Sequence, residues 1–237
     1  VLLGEGVHAA ITDRHGGVSG PPYGSRNLGG AVGDDPRSVE ANRRVTAEEF
    51  GVDPSRVVMM RQVHGRDVAY VDRPFTGEPP EVDAIFTAEE GLALVSLAAD
   101  CAQVLVADPA ARLVGAAHSG RPGTLAGVVP ALVEAMAGRG GDPSRMVALV
   151  GPAACGRCYE VPAAMRDEVA AVVPEAWATT SRDTPSVDLR AAIAAQLARA
   201  GVADVRHDDR CTIESADLYS YRREGRTGRF GAYIWLD

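Results

Sequence analysis

Apolar positions in this chain come in short runs broken by turn residues, and the runs switch between a period of two and a period of about 3.6. Residues 7–12 read as a first strand, followed by a turn-rich loop, 13–34, dense in Gly, Pro, Ser and Asn and long enough to be functional. Asp35 then offers an N-cap with Pro36 at the first helical position, and Val39, Ala41, Val45 and Phe50 carry a helix to Gly51. Residues 57–63 are β-branched and Met-rich, a strand that delivers His64 at its carboxyl end, with 68–71 as its pairing partner. Three successive strands follow at 92–98, 103–107 and 112–117, separated by Asp100-Cys101 and by the turn signal Asp108-Pro109. If these strands pair back and forth, the ends of the first and third share one sheet edge, which brings Cys101 toward His118. Residues 124–137 carry helical spacing through Leu125, Val128, Val129, Leu132, Val133 and Met136, with Pro130 as a kink or as the true start. A strand at 146–150, helices at 162–173 and 188–200 with Asp188 as N-cap and Gly201 as stop, and a strand at 230–236 complete the reading. The missing strand–helix–strand rhythm predicts an α/β (α+β) chain with mixed sheets and argues against a doubly wound parallel fold. No repeat, low-complexity tract or linker divides it, so 1–237 reads as a single domain.

Composition narrows the function classes. Hydrophobic residues at 46% suffice for a packed core, and the net charge, 24 minus 32 or −8, comes without a Lys/Arg stripe of the kind that tracks nucleic acid. A small-molecule substrate fits better. Arg222, Arg223, Arg226 and Arg229 interleave with Tyr219 and Tyr221, and in an acidic protein they read as structural ion pairs. The longest apolar stretch, 92–99 with Ser96 inside it, is too short to cross a bilayer, and residues 1–10 lack the pattern of a signal peptide. A soluble, cytoplasmic protein with all four cysteines reduced is expected.

The candidate chemistry lies at the ends of three apolar runs: His64 in Arg61-Gln62-Val63-His64-Gly65, Cys101 in Ala99-Asp100-Cys101, and His118 in Ala117-His118-Ser119-Gly120. If they converge, two imidazoles and a thiol make a candidate three-ligand metal site with one position open, and an open position marks a catalytic metal rather than a structural one. Taken singly, each residue has an ordinary role, a hydrogen-bonded cleft histidine or a small buried cysteine. Cys155-Gly156-Arg157-Cys158 has the spacing of a redox pair or half a zinc knuckle, but no second cysteine pair exists, so these and Cys211 read as structural thiols. His8 and His207 read as ordinary strand or loop residues, and His15 in the Gly-rich loop as a minor candidate for substrate contact.

These motifs in this order resemble the YfiH family, also called the laccase-domain or polyphenol oxidase family, whose members include purine nucleoside phosphorylases. The likeness spans almost the whole chain. It rests on Asn27-Leu28-Gly29, Val32-Gly33-Asp34-Asp35, Asn42-Arg43, the His64, Cys101 and His118 segments, Asp83-Ala84, Gly151-Pro152, Cys158-Tyr159-Glu160-Val161, Asp188-Leu189, Cys211-Thr212, Tyr219-Ser220-Tyr221-Arg222-Arg223 and Thr227-Gly228-Arg229. The resemblance implies a four-layer α/β/β/α fold with mixed sheets and a zinc ion on His64, Cys101 and His118. It also implies phosphorolysis of adenosine, inosine, guanosine and methylthioadenosine, and deamination of adenosine. Two departures flank the ligands. Cys101-Ala102-Gln103 replaces a common Cys-x-Pro, and His118-Ser119-Gly120-Arg121-Pro122-Gly123 replaces His-Ala-Gly-Trp-Arg-Gly. The second removes a flat wall for purine or ribose, while Arg121 adds a cation suited to phosphate.

On that footing Ser25, Asn27 and Gln62 are candidate nucleoside contacts, and Arg43, Arg61 and Arg121 are candidate phosphate donors. Asp100, Asp83 and Glu160 are the unranked candidates for proton transfer. Three rival readings stay open: a hydrolase with Cys101 as nucleophile, a catalytically weak binding module, and a copper-dependent polyphenol oxidase. A laccase needs several copper ions and more histidines than the five present.

Overall fold

In the computed structural model, which describes residues 1–237, the strands are β1 (Leu2–Gly4), β2 (Val7–Ile11), β3 (Val57–Met59), β4 (Val68–Tyr70), β5 (Ala84–Thr87), β6 (Ala93–Ala98), β7 (Ala102–Asp108), β8 (Leu113–Ser119), β9 (Val147–Val150), β10 (Trp177–Thr179), β11 (Pro185–Val187), β12 (Asp204–His207) and β13 (Phe230–Leu236). The helices are α1 (Pro36–Glu49), α2 (Arg121–Ala126), α3 (Val128–Ala137), α4 (Ala163–Val172), α5 (Leu189–Arg199) and α6 (Tyr221–Glu224). One sheet has the order β1-β2-β13-β6-β3 and a second the order β12-β9-β7-β8-β5-β4, with β10-β11 as a separate pair. Both large sheets are mixed, since β3 runs parallel to β6, β12 to β9 and β4 to β5 while the other pairs are antiparallel.

Side-chain alternation sorts the layers. Along β7 and β8, Val104, Val106, Leu113 and Ala117 pack on Val129, Leu132, Val133 and Met136 of α3 and on Ile193 and Leu197 of α5. Leu105, Ala107, Val114 and Ala116 instead meet Leu94, Val58 and Ile234 of the five-stranded sheet. The outer face of that sheet receives α1, where Ala47 and Phe50 pack on Ala93, Val57 and Trp235. The result is the expected α/β/β/α sandwich. Gly115 is required where α3 crosses β8, because a Cβ there would lie 2.9 Å from Leu132 Cδ1 and 3.1 Å from Met136 Sδ. The parity that points Val114 and Ala116 between the sheets also points His118 there.

Several expected elements are corrected. The strands at 92–98, 103–107 and 112–117 do not form one meander: β6 belongs to the five-stranded sheet, and the chain crosses to the other sheet at Ala99-Asp100-Cys101. Cys101 nears His118 through the β7–β8 register, which pairs Ala102 with Ser119 and Gln103 with His118. β3 ends at Met59, not at 63, and the reason is Gln62. Its side-chain amide donates to Leu97 O at 2.8 Å and accepts from Leu97 N at 2.9 Å, so a side chain takes the ladder positions the backbone would have filled. The 68–71 strand pairs with β5, not β3. Pro130 neither kinks nor starts its helix; the break is at Gly127, φ 80°, between α2 and α3, and Pro130 falls in the first turn of α3, where no intrahelical N–H bond is lost. No helix is long and apolar enough to cross a membrane.

Candidate active site

His64, Cys101 and His118 reach one point from three directions: a loop after β3, the crossover before β7 and the end of β8. One donor atom from each lies within 4.8 Å of the others, with Cys101 Sγ 3.9 Å from His64 Nε2. The imidazoles meet edge to face, 4.8 Å between centroids. His118 is buried, Cys101 half-buried and His64 exposed, so the cluster opens to solvent on one side.

Asp83, wholly buried, organises both histidines. Its Oδ1 lies 2.8 Å from His118 Nδ1, which leaves Nε2 to face the cluster, and its backbone carbonyl accepts from the His118 amide at 2.8 Å. Its Oδ2 accepts from the amides of Val63 at 3.0 Å and Gly65 at 2.7 Å, the residues on either side of His64. That pair of bonds holds His64 at φ 61°, a left-handed conformation that a non-glycine residue keeps only when its surroundings enforce it. Burial works against the Asp83 charge, but hydrogen bonds from His118 and from these amides hold its carboxyl below the usual range. Burial likewise disfavours charge on His118, yet Asp83 and then Cys101 raise it to about 9. Burial pushes the Cys101 thiol up, but hydrogen bonding to His118 and His64 outweighs this and brings it down to about 6.

Gly120 leaves the space between the ligands clear. A Cβ there would sit 2.8 Å from Cys101 Sγ and 2.9 Å from His64 Cδ2. Gln103, one of the two departures from the family pattern, is fully buried behind the site and donates to Ser96 O at 2.9 Å and Phe230 O at 3.0 Å, so it ties β7 to the other sheet.

The three residues line a cavity of about 500 Å³. Arg61 and Gln62 also line it, although Arg61 is engaged with Glu81 at 3.1 Å and the Gln62 amide is consumed by Leu97. Ser25, Asn27, Arg43 and Arg121 are not on its wall. Asn27 is buried and braces the loop that is: its Oδ1 accepts from Gly29 N and Arg229 N, and its Nδ2 donates to Gly29 O and Asp34. Ser25 Oγ accepts from Gly17 N, Arg43 Nε donates to Leu28 O, and Arg121 lies 3.7 Å from Glu168 of α4. Of the three carboxylates considered for proton transfer, only Asp100 lines the cavity. Its oxygens accept from Thr212 Oγ1 at 2.6 Å and Arg222 N at 2.7 Å. Asp83 is sealed behind His118, and Glu160 is taken up by Arg182 and Thr184.

Wall residues that sequence reasoning missed are Tyr159, Tyr221, Arg222 and Arg229. Of the four basic residues read as structural ion pairs, only Arg223 has such a partner, Glu224. Arg222 stacks over the Tyr159 ring, 4.7 Å from its centroid, and Arg229 bonds to the carbonyls of Thr227 and Gly228. Arg222 also donates to Glu160 O at 2.9 Å; neither guanidinium has a carboxylate within ion-pairing distance, although Asp100 shares the wall and attracts Arg229 from further off. The interleaved Tyr and Arg pattern was the available signal.

The family model for the multi-copper polyphenol oxidoreductase laccase matches residues 8–237. A purine nucleoside phosphorylase of Streptomyces coelicolor is 59% identical over 98% of this chain and 96% of its own length, and one of Streptomyces griseus is 59% identical over 98% and 95%. The crystal structure of YlmD from Geobacillus stearothermophilus superposes with a TM-score of 0.90 at 35% identity, covering 98% of this chain and 92% of that one. Matched in sequence and fold over nearly its full length, the chain belongs to the laccase-domain family that its motifs resembled, the YfiH family.

Proposed function

We propose that this chain is a zinc-dependent purine nucleoside phosphorylase that cleaves adenosine, inosine, guanosine and methylthioadenosine, and that the same cavity deaminates adenosine. The observation that carries the reading is one cavity holding both a convergent His64–Cys101–His118 cluster and two arginines without carboxylate partners. The names of the Streptomyces relatives support its phosphorylase part.

The donor set suits zinc. Two imidazoles and a thiol match zinc's preference for nitrogen and sulfur, and Gly120 keeps the space between them free. Zinc held by His64, Cys101 and His118 would supply a Lewis acid at the reacting end of the nucleoside. Asp83 sets the His118 tautomer and the His64 loop, as the outer partners of metal-bound histidines do. Arg222 and Arg229 receive phosphate and place it against the ribose C1′. Tyr159 and Tyr221 offer flat surfaces for the base, replacing the wall lost with the family's tryptophan. In phosphorolysis Asp100 would pass a proton from the attacking phosphate to the departing purine, and in deamination a proton of the water that adds at C6 to the departing ammonia. We assign the phosphate to Arg222 and Arg229 and not to Arg43 and Arg121 because the former two line the cavity.

The test is chromatography of adenosine and inosine incubated with zinc-loaded protein, with and without phosphate, beside Cys101→Ala. Phosphate-dependent release of adenine and hypoxanthine, absent in the variant, is expected. No free base in any arm overturns the reading.

The clustering of Cys101 Sγ with both imidazoles, 3.9 Å from His64 Nε2, favours a second reading, since hydrogen bonding to His118 and His64 brings the thiol down to about 6, as in an activated nucleophile. Activation needs one imidazole, however, and here two converge on the sulfur. Iodoacetamide distinguishes the readings: stoichiometric labelling of Cys101 in zinc-loaded protein favours the nucleophile, and protection favours the metal ligand.

A further inference from the structure

We propose that Cys155, Cys158, Cys211 and Glu214 form a second metal site, a structural zinc that clamps two turns beneath the cavity. Its argument is independent of the His64–Cys101–His118 site. The spacing of Cys155-Gly156-Arg157-Cys158 supplies one half of a zinc knuckle, and the fold supplies the other. Cys211-Thr212-Ile213-Glu214 has the same separation, with a carboxylate where a fourth thiol would stand. One ligand atom from each of the four residues lies within 4.8 Å of the others. A zinc–sulfur bond of about 2.3 Å places two sulfurs of a tetrahedral site about 3.8 Å apart, so only a small contraction is needed.

The backbone around the sulfurs is that of paired knuckles. The chain turns tightly after Cys155, where the amides of Cys158 and Tyr159 both donate to Cys155 O at 2.9 Å. It turns again after Cys211, where Glu214 N and Ser215 N donate to Cys211 O. Cys155 N donates to Cys211 Sγ at 3.4 Å, so one turn already solvates the sulfur of the other. A parallel bridge between Ala153 and Cys211 and the bond from Thr212 N to Ala153 O fix their relative position. Cys155 and Cys211 are buried, Cys158 is half-buried and Glu214 is exposed, which closes the site on the protein side and leaves the carboxylate to complete it. Arg157, 3.7 Å from Glu214, offsets the negative charge that three thiolates and a carboxylate would leave on the ion.

The clamp would act on the cavity through its second turn. Thr212 Oγ1 donates to Asp100, and Arg223 donates to the carbonyls of Thr212, Ile213 and Ser215. The Cys211 turn therefore supports both the cavity's carboxylate and the segment that carries Arg222.

The experiment uses the full chain, reduced, stripped with chelator, reconstituted with zinc and freed of excess by gel filtration, with zinc counted by elemental mass spectrometry. Wild type is expected to hold two zinc ions, Cys101→Ala/His118→Ala one, and that variant with Cys155→Ser and Cys211→Ser added none. Because the serine variants can fail to fold, cobalt(II) is loaded separately into Cys101→Ala/His118→Ala. Intense sulfur-to-cobalt charge-transfer bands and tetrahedral d–d bands are expected. Zinc-free Cys101→Ala/His118→Ala, or cobalt spectra without thiolate bands, overturns the proposal, as does peptide mapping that finds these cysteines disulfide-bonded in the zinc-treated protein. Glu214→Gln is expected to lose zinc to a chelator sooner than its parent, and equal retention overturns Glu214 as the fourth ligand.

Discussion

At the scale of single residues, Asp83 carries the most consequence for the least exposure. One carboxylate sets the His118 tautomer with one oxygen and the His64 loop with the other. In Asp83→Asn the amide group has one acceptor and two donors where the site needs acceptors only, so one ligand or the other loses its support. Zinc affinity should fall by roughly 10–100-fold, measured by chelator competition. On the proposed function, Arg222 and Arg229 bear on phosphate instead. Truncating either to Ala should raise the KM for phosphate by about 10–100-fold, the size of a hydrogen bond to a charged group, while the KM for the nucleoside stays near wild type. Equal rises in both constants would assign these arginines to general packing. The convergence of His64, Cys101 and His118 was legible from the sequence because each ends an apolar run. Arg222 and Arg229 were not, since a cluster of arginines beside tyrosines is read the same way whether acids lie opposite it or not.

At the scale of elements, two helix starts follow from local chemistry: Asp35 and Asp188 cap α1 and α5 through their own side chains. What escaped were elements whose limits are set by distant partners. β3 stops early because Gln62 substitutes a side chain for a ladder, and β4 pairs with a strand too short to announce itself. Asp108 at the end of β7 shows how such a distant partner stabilises. Fully buried, it accepts from Ala111 N and Asp142 N and pairs with Arg145 at 3.0 Å, joining the β7–β8 turn to the segment before β9. Burial opposes its charge, but the Asp142 amide and Arg145 prevail and hold its carboxyl below the usual range. A depressed carboxyl contributes stability that is complete above its unfolded value, about 3.9, and is lost as pH falls through the folded value. Asp108→Asn should therefore lose about 1–3 kcal/mol at neutral pH, with the gap to wild type closing under acid, as read from urea midpoints across pH.

At the scale of the whole molecule, mixed sheets and four layers could be anticipated, but the assignment of strands to sheets could not. β6, β7 and β8 are consecutive apolar runs, and nothing in their composition says that the chain changes sheets at Asp100. That crossing is what places a thiol between two histidines. His64 follows a strand of one sheet, His118 ends a strand of the other, and Cys101 lies on the segment that joins them. The candidate ligand set therefore spans the seam, and its spacing depends on how Leu105, Leu94 and Ile234 fill the space between the sheets. Leu105→Ala should lose about 2–5 kcal/mol in unfolding free energy. It should also release zinc to a chelator at lower concentration than wild type, though it touches no ligand. An ion held there would work as a caliper across the sandwich: small slips between its two halves would register as weakened metal retention well before the chain unfolds.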